Sequence, residues 1–307
     1  MSDKVSVICI SYNHAPFVKK ALQSVFNQSY VDIEVIILDD GSKDDSVQMI
    51  REATADQEVK TVFHSTNQGY TKTFNEGFAL STGKYIVDFA LDDMMKPDFV
   101  MKSVEKLQFS SANTGVVFSN ADYIDEQGGF IGNHNEELFK KSMIKEVPSG
   151  DIFKWILKRY FICTPTMLIK REVFDRLGGY DESLAYEDFD FWVRSSRYWH
   201  YTYLDEVLMQ KRKLRDSMSN QRYRYHLNEQ MNSVYKVCEK AFHLCKTKGE
   251  KHALLERLNY EYRQCLRTDN VLLAQAYKEL IFAVGGRISP FSYLAKMLNR
   301  EKVSFML

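Results

Sequence analysis

Apolar and polar positions along the first hundred or so residues alternate between two rhythms. Short runs at Val5–Ser11, Ile33–Asp39, 59–64 and 85–89, rich in β-branched and aromatic residues and closed by turn-formers, predict buried strands. Between them, segments 16–27, 44–53, 71–80 and 97–109 carry helical spacing. Ser42 or Asp44 offers a cap to the second of these helices, and Pro97 suits the first turn of the fourth. Strand and helix recurring in this way predict βαβ units, hence a mostly parallel sheet with right-handed crossovers and helices on its faces.

After about residue 110 the rhythm changes. Segments 115–120 and 121–125 predict strands, with a hairpin turn at Asp125-Glu-Gln-Gly-Gly-Phe130. A helix is expected at 151–158, and a strand at 166–170 leads into a helix at Arg171–Leu177 that Gly178-Gly179 stops. A helix at 187–198 and a strand at 201–211 follow. From about Tyr223 helix-compatible segments dominate, broken at 246–250 and at Gly285-Gly286. The boundary is expected near 215–225, dividing an α/β domain at 1–220 from a helical C-terminal extension at 221–307.

Composition narrows the class. A chain of 307 residues with 45% hydrophobic and 27% charged content has ample material for a globular core. No apolar run approaches the roughly 20 residues that span a bilayer, and Met-Ser-Asp-Lys enters a strand without an apolar leader, so a cytoplasmic protein is expected. The five cysteines (Cys9, Cys163, Cys238, Cys245, Cys265) are scattered and lack a C-x-x-C pair, which supports reduced thiols and neither zinc nor a disulfide framework. The net charge of zero hides an asymmetry. Residues 1–210 hold 22 basic against 32 acidic residues, and 211–307 hold 19 against 9. Two readings fit: a tail that meets something anionic, or a helical face docked on acidic groups of the same chain.

Three acidic pairs carry the chemistry. Asp39-Asp40 follows Glu34-Val-Ile-Ile-Leu38, Asp92-Asp93 follows Tyr85-Ile-Val-Asp-Phe-Ala-Leu91, and Glu187-Asp188 opens Glu-Asp-Phe-Asp-Phe-Trp-Val-Arg194. Ligands of open α/β sheets bind at the carboxyl ends of the strands. Two acidic pairs there suggest a divalent cation and a sugar-phosphate ligand, and the third supplies a carboxylate able to act as a general base. Each pair, taken alone, also fits a helix cap. The absence of G-x-G-x-x-G after the first strand disfavours a dinucleotide, and Ser11-Tyr-Asn-His-Ala-Pro16 has no glycine for a phosphate loop.

Taken in order, Val5-Ser-Val-Ile-Cys-Ile-Ser-Tyr-Asn13, Leu38-Asp-Asp-Gly-Ser-Lys-Asp44, Asn67-Gln-Gly69, Asn75-Glu-Gly77, Gly83-Lys-Tyr85, Leu91-Asp-Asp93 and Pro97-Asp98 resemble the family-2 inverting glycosyltransferases with a GT-A fold. Leu177-Gly-Gly-Tyr-Asp-Glu182 and Tyr186-Glu-Asp-Phe-Asp-Phe-Trp192 continue the pattern, so the resemblance covers roughly 4–220. It implies an α/β GT-A fold, Rossmann-like, with a nucleotide half at 1–110 and an acceptor half at 111–220. The implied activity is a metal-dependent hexosyl or N-acetylhexosaminyl transfer from a UDP-sugar, with Mn2+ or Mg2+, to a hydroxyl of a glycan or lipid-linked acceptor in cell-surface polysaccharide synthesis. No nucleic-acid partner is implied. The alternative is a sugar-phosphate nucleotidyltransferase, and a dead transferase that only binds nucleotide is a third.

Residue by residue, the resemblance implies donor binding by Ser11, Tyr12, Asp40, Asn67 and Asp92. Tyr12 would stack on uracil and Asp40 accept from it; Asp92 would meet ribose or metal. Asp93 would hold the cation at an exposed pocket edge, and Asp188 would be the base. The chain departs from the family at Ala90, where a further aspartate is common, and near Leu214, where many members keep a metal-binding histidine. Either the cation has fewer protein ligands or an arginine, Arg212 or Arg215, binds the diphosphate. Trp155, Tyr160, Phe161 and Tyr180 are candidate sugar platforms, equally readable as core. The C-terminal helices would pack on the catalytic domain, pair with a second copy, or lie on the inner face of the cytoplasmic membrane.

Overall fold

The structure, a computed structural model, describes residues 3–214 and 229–288. The chain gathers into two compact units. The first comprises the described part of Met1–Ile152, Phe161–Glu182 and Tyr198–Leu214; the second comprises Phe153–Tyr160, Ser183–Arg197 and the described part of Arg215–Leu307. The expected boundary at 215–225 falls wholly outside the described residues.

The first unit is built on one nine-stranded sheet. Strands β1 (Val5–Ser11), β2 (Ile33–Asp39), β3 (Lys60–Phe63) and β4 (Tyr85–Ala90) are parallel, in the order β3-β2-β1-β4, with α1 (Val18–Phe26), α2 (Ser46–Ala53) and α3 (Tyr70–Leu80) between them. β1 is buried along its whole length. That is why it reads as a continuous apolar run without alternation. Beyond β4 the sheet is mixed. β8 (Met167–Lys170) pairs antiparallel with β4 and with β6 (Thr114–Ile124), β6 pairs parallel with β9 (His200–Arg212), and β9 pairs antiparallel with β5 (Met94–Met95). α4 (Phe99–Gln108) links β5 to β6, and α7 (Arg171–Leu177) follows β8.

The strands and turns beyond β4 differ from the expectation in several places. Segments 115–125 form one strand, β6, whose register with β9 shifts at Thr114/Val116, Ser119/Asn120 and Asn120/Ala121. The bulges bend one strand where the residue pattern suggested two. Pro97 precedes α4 instead of opening it. The hairpin turn forms as expected, with the Asp125 carboxylate accepting from the Gln127 and Gly129 amides, and leads to β7 (Phe130–Asn133) paired with β6. Two elements gave no sequence signal: the two-residue β5, and α5 (His134–Lys140), capped by the Asn133 side chain.

The second unit is helical. It holds α6 (Phe153–Lys158), α8 (Glu187–Ser195), α9 (Glu229–Leu244), α10 (Lys248–Arg267) and α11 (Val271–Ala283). Thr247 and Glu250 form a reciprocal capping box at the start of α10. This explains the break seen in the sequence at 246–250.

Candidate active site

In the order β3-β2-β1-β4 the chain moves outward from β1 in one direction and then returns to the other side of it, so the sheet reverses between β1 and β4. At such a switch point the loops leaving the carboxyl ends diverge and open a crevice. The loops there carry Ser11-Tyr12-Asn13 and Ala90–Asp93, flanked by Asp39-Asp40 at the end of β2.

Asn13 sews this region together. It adopts a left-handed backbone (φ 56), which asparagine tolerates. Its amide donates to Ser42 Oγ at 2.8 Å, its side-chain oxygen accepts from the Lys43 amide at 2.8 Å, and the next two amides donate to Ser46 Oγ and the Asp44 carboxylate. Asn13 is therefore turn chemistry that locks the β1 and β2 loops. Tyr12 beside it is 42% exposed, so its ring face is available. Ser11 Oγ, in contrast, is buried without a hydrogen-bond partner.

The two carboxylates after β2 differ in duty. Asp39 accepts from the Ser42 amide and hydroxyl, and so shapes the turn. Asp40, 2% exposed, accepts from the Gln68 and Gly69 amides and meets His64 Nδ1 at 2.9 Å. Three of its roughly four acceptor positions are thus used, and one on Oδ2 is left for a donor N–H. The close approach depends on Gly41, because a Cβ there would lie 2.5 Å from the Thr66 carbonyl carbon. Asn67 sits exposed on the loop that Asp40 gathers.

His64 was not foreseen as a site residue. Its other nitrogen meets Glu76 of α3 at 2.8 Å. Burial opposes its charge, but the hydrogen bonds to Asp40 and Glu76 outweigh it and hold its pKa above the ordinary histidine value. A second unforeseen group is Asp88 in β4, whose buried carboxylate accepts from the Tyr70 hydroxyl at 2.6 Å and the Tyr180 hydroxyl at 2.8 Å. An aspartate inside the apolar run 85–91 was the available signal, since such a charge must be paired.

The acidic turn after β4 corrects two expectations. Asp93 does not stand at an exposed edge: it is 4% exposed. Pairing of β5 with β9 brings Arg212 alongside, and the Arg212 amide donates to Asp93 Oδ1 at 2.7 Å. Burial first, and then the neighbouring Asp92 carboxylate, push the Asp93 pKa well above the ordinary range, while Lys211 and Arg212 pull it down. Asp92 remains half-buried. Nor is Arg212 available to a diphosphate. Its guanidinium donates to the carbonyls of Asp92, Asp125 and Glu126 and lies 4.5 Å over the Phe17 ring. Arg215 lies outside the described residues.

Among the described residues no group of three or more His, Cys, Asp or Glu side chains could hold a metal alone. Asp92 and Asp93 nevertheless fit half of a hard-cation site. They offer only oxygen, and a cation would offset the penalty that burial and like charge place on Asp93. Mg2+ or Mn2+ usually completes its shell with substrate phosphates and water.

In the second unit, Glu187 and Asp188 lie in the first turn of α8, both half-buried. Asp190 is fully buried and doubly ion-paired, with Arg194 Nε at 2.6 Å and Lys240 Nζ at 2.6 Å, so it is no candidate base. Of the four aromatic candidates, Phe161 and Tyr180 are core, and Tyr160 packs among Tyr186, Phe189 and Trp192. Trp155, 48% exposed, keeps a free face.

Comparison with known proteins bears on the fold and the family. An uncharacterised glycosyltransferase of Haemophilus influenzae is 25% identical over 235 residues, covering 75% of this chain and 71% of that protein. One from Nostoc is 39% identical over 124 residues, 40% of this chain and 38% of its own length. Among solved structures, S. aureus TarS 1-349 in complex with UDP-GlcNAc aligns with a TM-score of 0.68 over 96% of this chain and 89% of that one, at 15% identity. A Pyrobaculum calidifontis mannosyltransferase in complex with GDP-Man and Mn2+ aligns at 0.63 over 100% and 81%, at 16% identity. At these identities the structures establish the GT-A fold and no more. The glycosyl transferase family 2 pattern, however, matches residues 6–178, more than half the chain, which sets aside the nucleotidyltransferase alternative; the protein belongs to glycosyl transferase family 2.

Proposed function

We propose that this enzyme moves a hexosyl or N-acetylhexosaminyl group from a UDP-sugar to a hydroxyl of a glycan or lipid-linked acceptor, with inversion, in cell-surface polysaccharide synthesis. The observation that carries the donor assignment is the arrangement at the switch point. An exposed tyrosine ring, a buried carboxylate with one acceptor position left, and an acidic turn follow β1, β2 and β4 respectively. Tyr12 stacks on the base, Asp40 accepts from its ring N–H, the Ser11 hydroxyl and Asn67 complete the nucleoside contacts, and Asp92 meets the ribose or the metal. Asp93, with Asp92, would hold Mn2+ or Mg2+, which when bound neutralises charge on the diphosphate.

The transfer is a single displacement. The acceptor oxygen bonds to the anomeric carbon as the carbon–oxygen bond to the diphosphate breaks, and UDP leaves. Asp188 takes the acceptor's proton, which raises the oxygen's nucleophilicity as the new bond forms. The resemblance of the Tyr186–Trp192 run to the family's base segment supports Asp188 in this role, and the pairing of Asp190 removes its nearest competitor apart from Glu187. No described helix is long and apolar enough to cross a membrane, and peripheral placement at the cytoplasmic face belongs to this proposal.

The test is a donor panel of UDP-GlcNAc, UDP-glucose, UDP-galactose and GDP-mannose, with Mn2+ or Mg2+, against an acceptor array, followed by nucleotide release and product anomer. Release of UDP with an inverted product is expected. Failure of every UDP-sugar to bind with metal present would sink the donor assignment.

A further inference from the structure

The helix that carries Asp188 is held on both sides of that residue by one face of α9. Before it, the Ala185 amide donates to Ser233 Oγ at 2.8 Å, and Lys236 Nζ reaches the Ser183 carbonyl at 3.4 Å. After it, Asp190 Oδ1 accepts from Lys240 Nζ at 2.6 Å, while Oδ2 accepts from Arg194. Ser233, Lys236 and Lys240 recur at spacings of three and four, so they share a face of α9. All three polar groups end on residues 183–190. Deeper in the unit, Phe189 packs edge-on against Tyr160 at 5.0 Å, and the Arg257 guanidinium of α10 lies 4.1 Å from the Tyr160 ring and 5.3 Å from Phe189.

The place of α9 in the second unit does not rest on these polar contacts alone, because α9 also buries Val234, Val237, Cys238 and Ala241. Apolar burial is non-directional. A fully buried carboxylate, however, is costly unless its partner is in place, so the Asp190–Lys240 pair selects one register of α8 against α9. The Ser233 hydroxyl does the same for the chain entering α8. We infer that α9 is a positioning element for the catalytic step, with Lys240 acting through Asp190 and Ser233 acting through the Ala185 amide to set the turn that presents Asp188. This rests on the assignment of Asp188 as base. It also gives part of the basic C-terminal region a catalytic purpose inside the molecule.

The experiment uses the full chain carrying Lys240→Met, Lys240→Arg, Ser233→Ala or Asp188→Asn, with the UDP-sugar that the donor panel selects. Calorimetry with UDP and Mn2+ reads donor affinity, steady-state kinetics read kcat and KM, and thermal melting reads the fold. For Lys240→Met the expected result is donor affinity within about twofold of wild type, KM unchanged, and kcat lowered by roughly 10- to 100-fold, the range that a displacement near 1 Å produces. Its acid limb of kcat moves to higher pH, because Asp190 without Lys240 places a less compensated negative charge near Asp188. Lys240→Arg restores most of the rate. If Lys240→Met does not fold, Ser233→Ala decides, with a lowered kcat at unchanged donor affinity. Lys240→Met and Ser233→Ala turning over at wild-type kcat with an unmoved limb, while Asp188→Asn is inactive, overturns the positioning role alone. Asp188→Asn at wild-type rate overturns the base assignment and the inference with it.

Discussion

Adjacent carboxylates at the end of β4 have unequal surroundings. Asp93 is buried against the Arg212 amide and Asp92 is half-exposed, so the inner one has most to gain from a cation. Asp93→Asn keeps the shape and removes the charge. We expect Mn2+-dependent UDP affinity to fall on the order of 10- to 100-fold with little change in melting temperature, measured by calorimetry. An unchanged affinity would place the cation elsewhere. Asp188→Asn should keep UDP affinity and lose transfer by about 10²–10⁴-fold, the usual worth of a general base. His64 gives a pH prediction. Its pKa is raised in the folded protein, so the stabilisation it lends is complete below its unfolded value near 6.5 and is lost as pH rises through the folded value. Because His64 braces Asp40, UDP affinity should weaken over that alkaline range, and His64→Asn should flatten the dependence. A wild-type profile that stays flat above pH 6.5 would contradict this.

At the scale of elements, α3 shows how a motif read as part of a family signature serves packing. A Cβ on Gly77 would lie 2.6 Å from Ile8 Cγ2 and 2.7 Å from Leu38 Cδ1, so the glycine lets α3 settle onto β1 and β2. Gly77→Ala should cost about 1–3 kcal/mol through overpacking, visible as a lowered thermal midpoint. A melt equal to wild type would mean that α3 shifts without penalty. Asn75, two residues earlier, binds both the amide and the carbonyl of Tyr180 and also reaches Glu182, and thereby fixes the turn at Gly178-Gly179. Gly179 (φ 83) is required there because a Cβ would come within 2.5 Å of Asn75 Oδ1. The Asn75-x-Gly77 spacing thus joins two packing demands one helical half-turn apart.

At the scale of the molecule, ion pairs of the second unit run both with and against the charge asymmetry. Lys240 of the C-terminal region pairs with Asp190 in its sense, whereas Glu250 with Arg197 and Glu256 with Lys158 pair in the opposite sense; Asp190, Arg197 and Glu250 are largely buried. Buried pairs are screened little by salt. Raising ionic strength from about 0.1 M to about 1 M, which shortens the Debye length from about 10 Å to about 3 Å, should leave the melting midpoint nearly unchanged. A steep fall with salt would instead show that exposed charges hold the fold.

The parallel half of the sheet and the helices broken at Gly178-Gly179 and at 246–250 are legible in the sequence because they follow from local periodicity and turn chemistry, and the family is legible through the ordered set of motifs it shares. The sequence also brought the acidic pairs to strand and helix ends, where short-range rules apply. Long-range packing sets the surroundings of each carboxylate. Asp40 became the anchor of a loop 24–29 residues away, Asp93 was covered by a strand over a hundred residues distant, and Asp190 was claimed by α9. Burial and pairing depend on partners remote in the chain, and no local pattern around an aspartate encodes whether its neighbours in space will be water, an amide or a lysine.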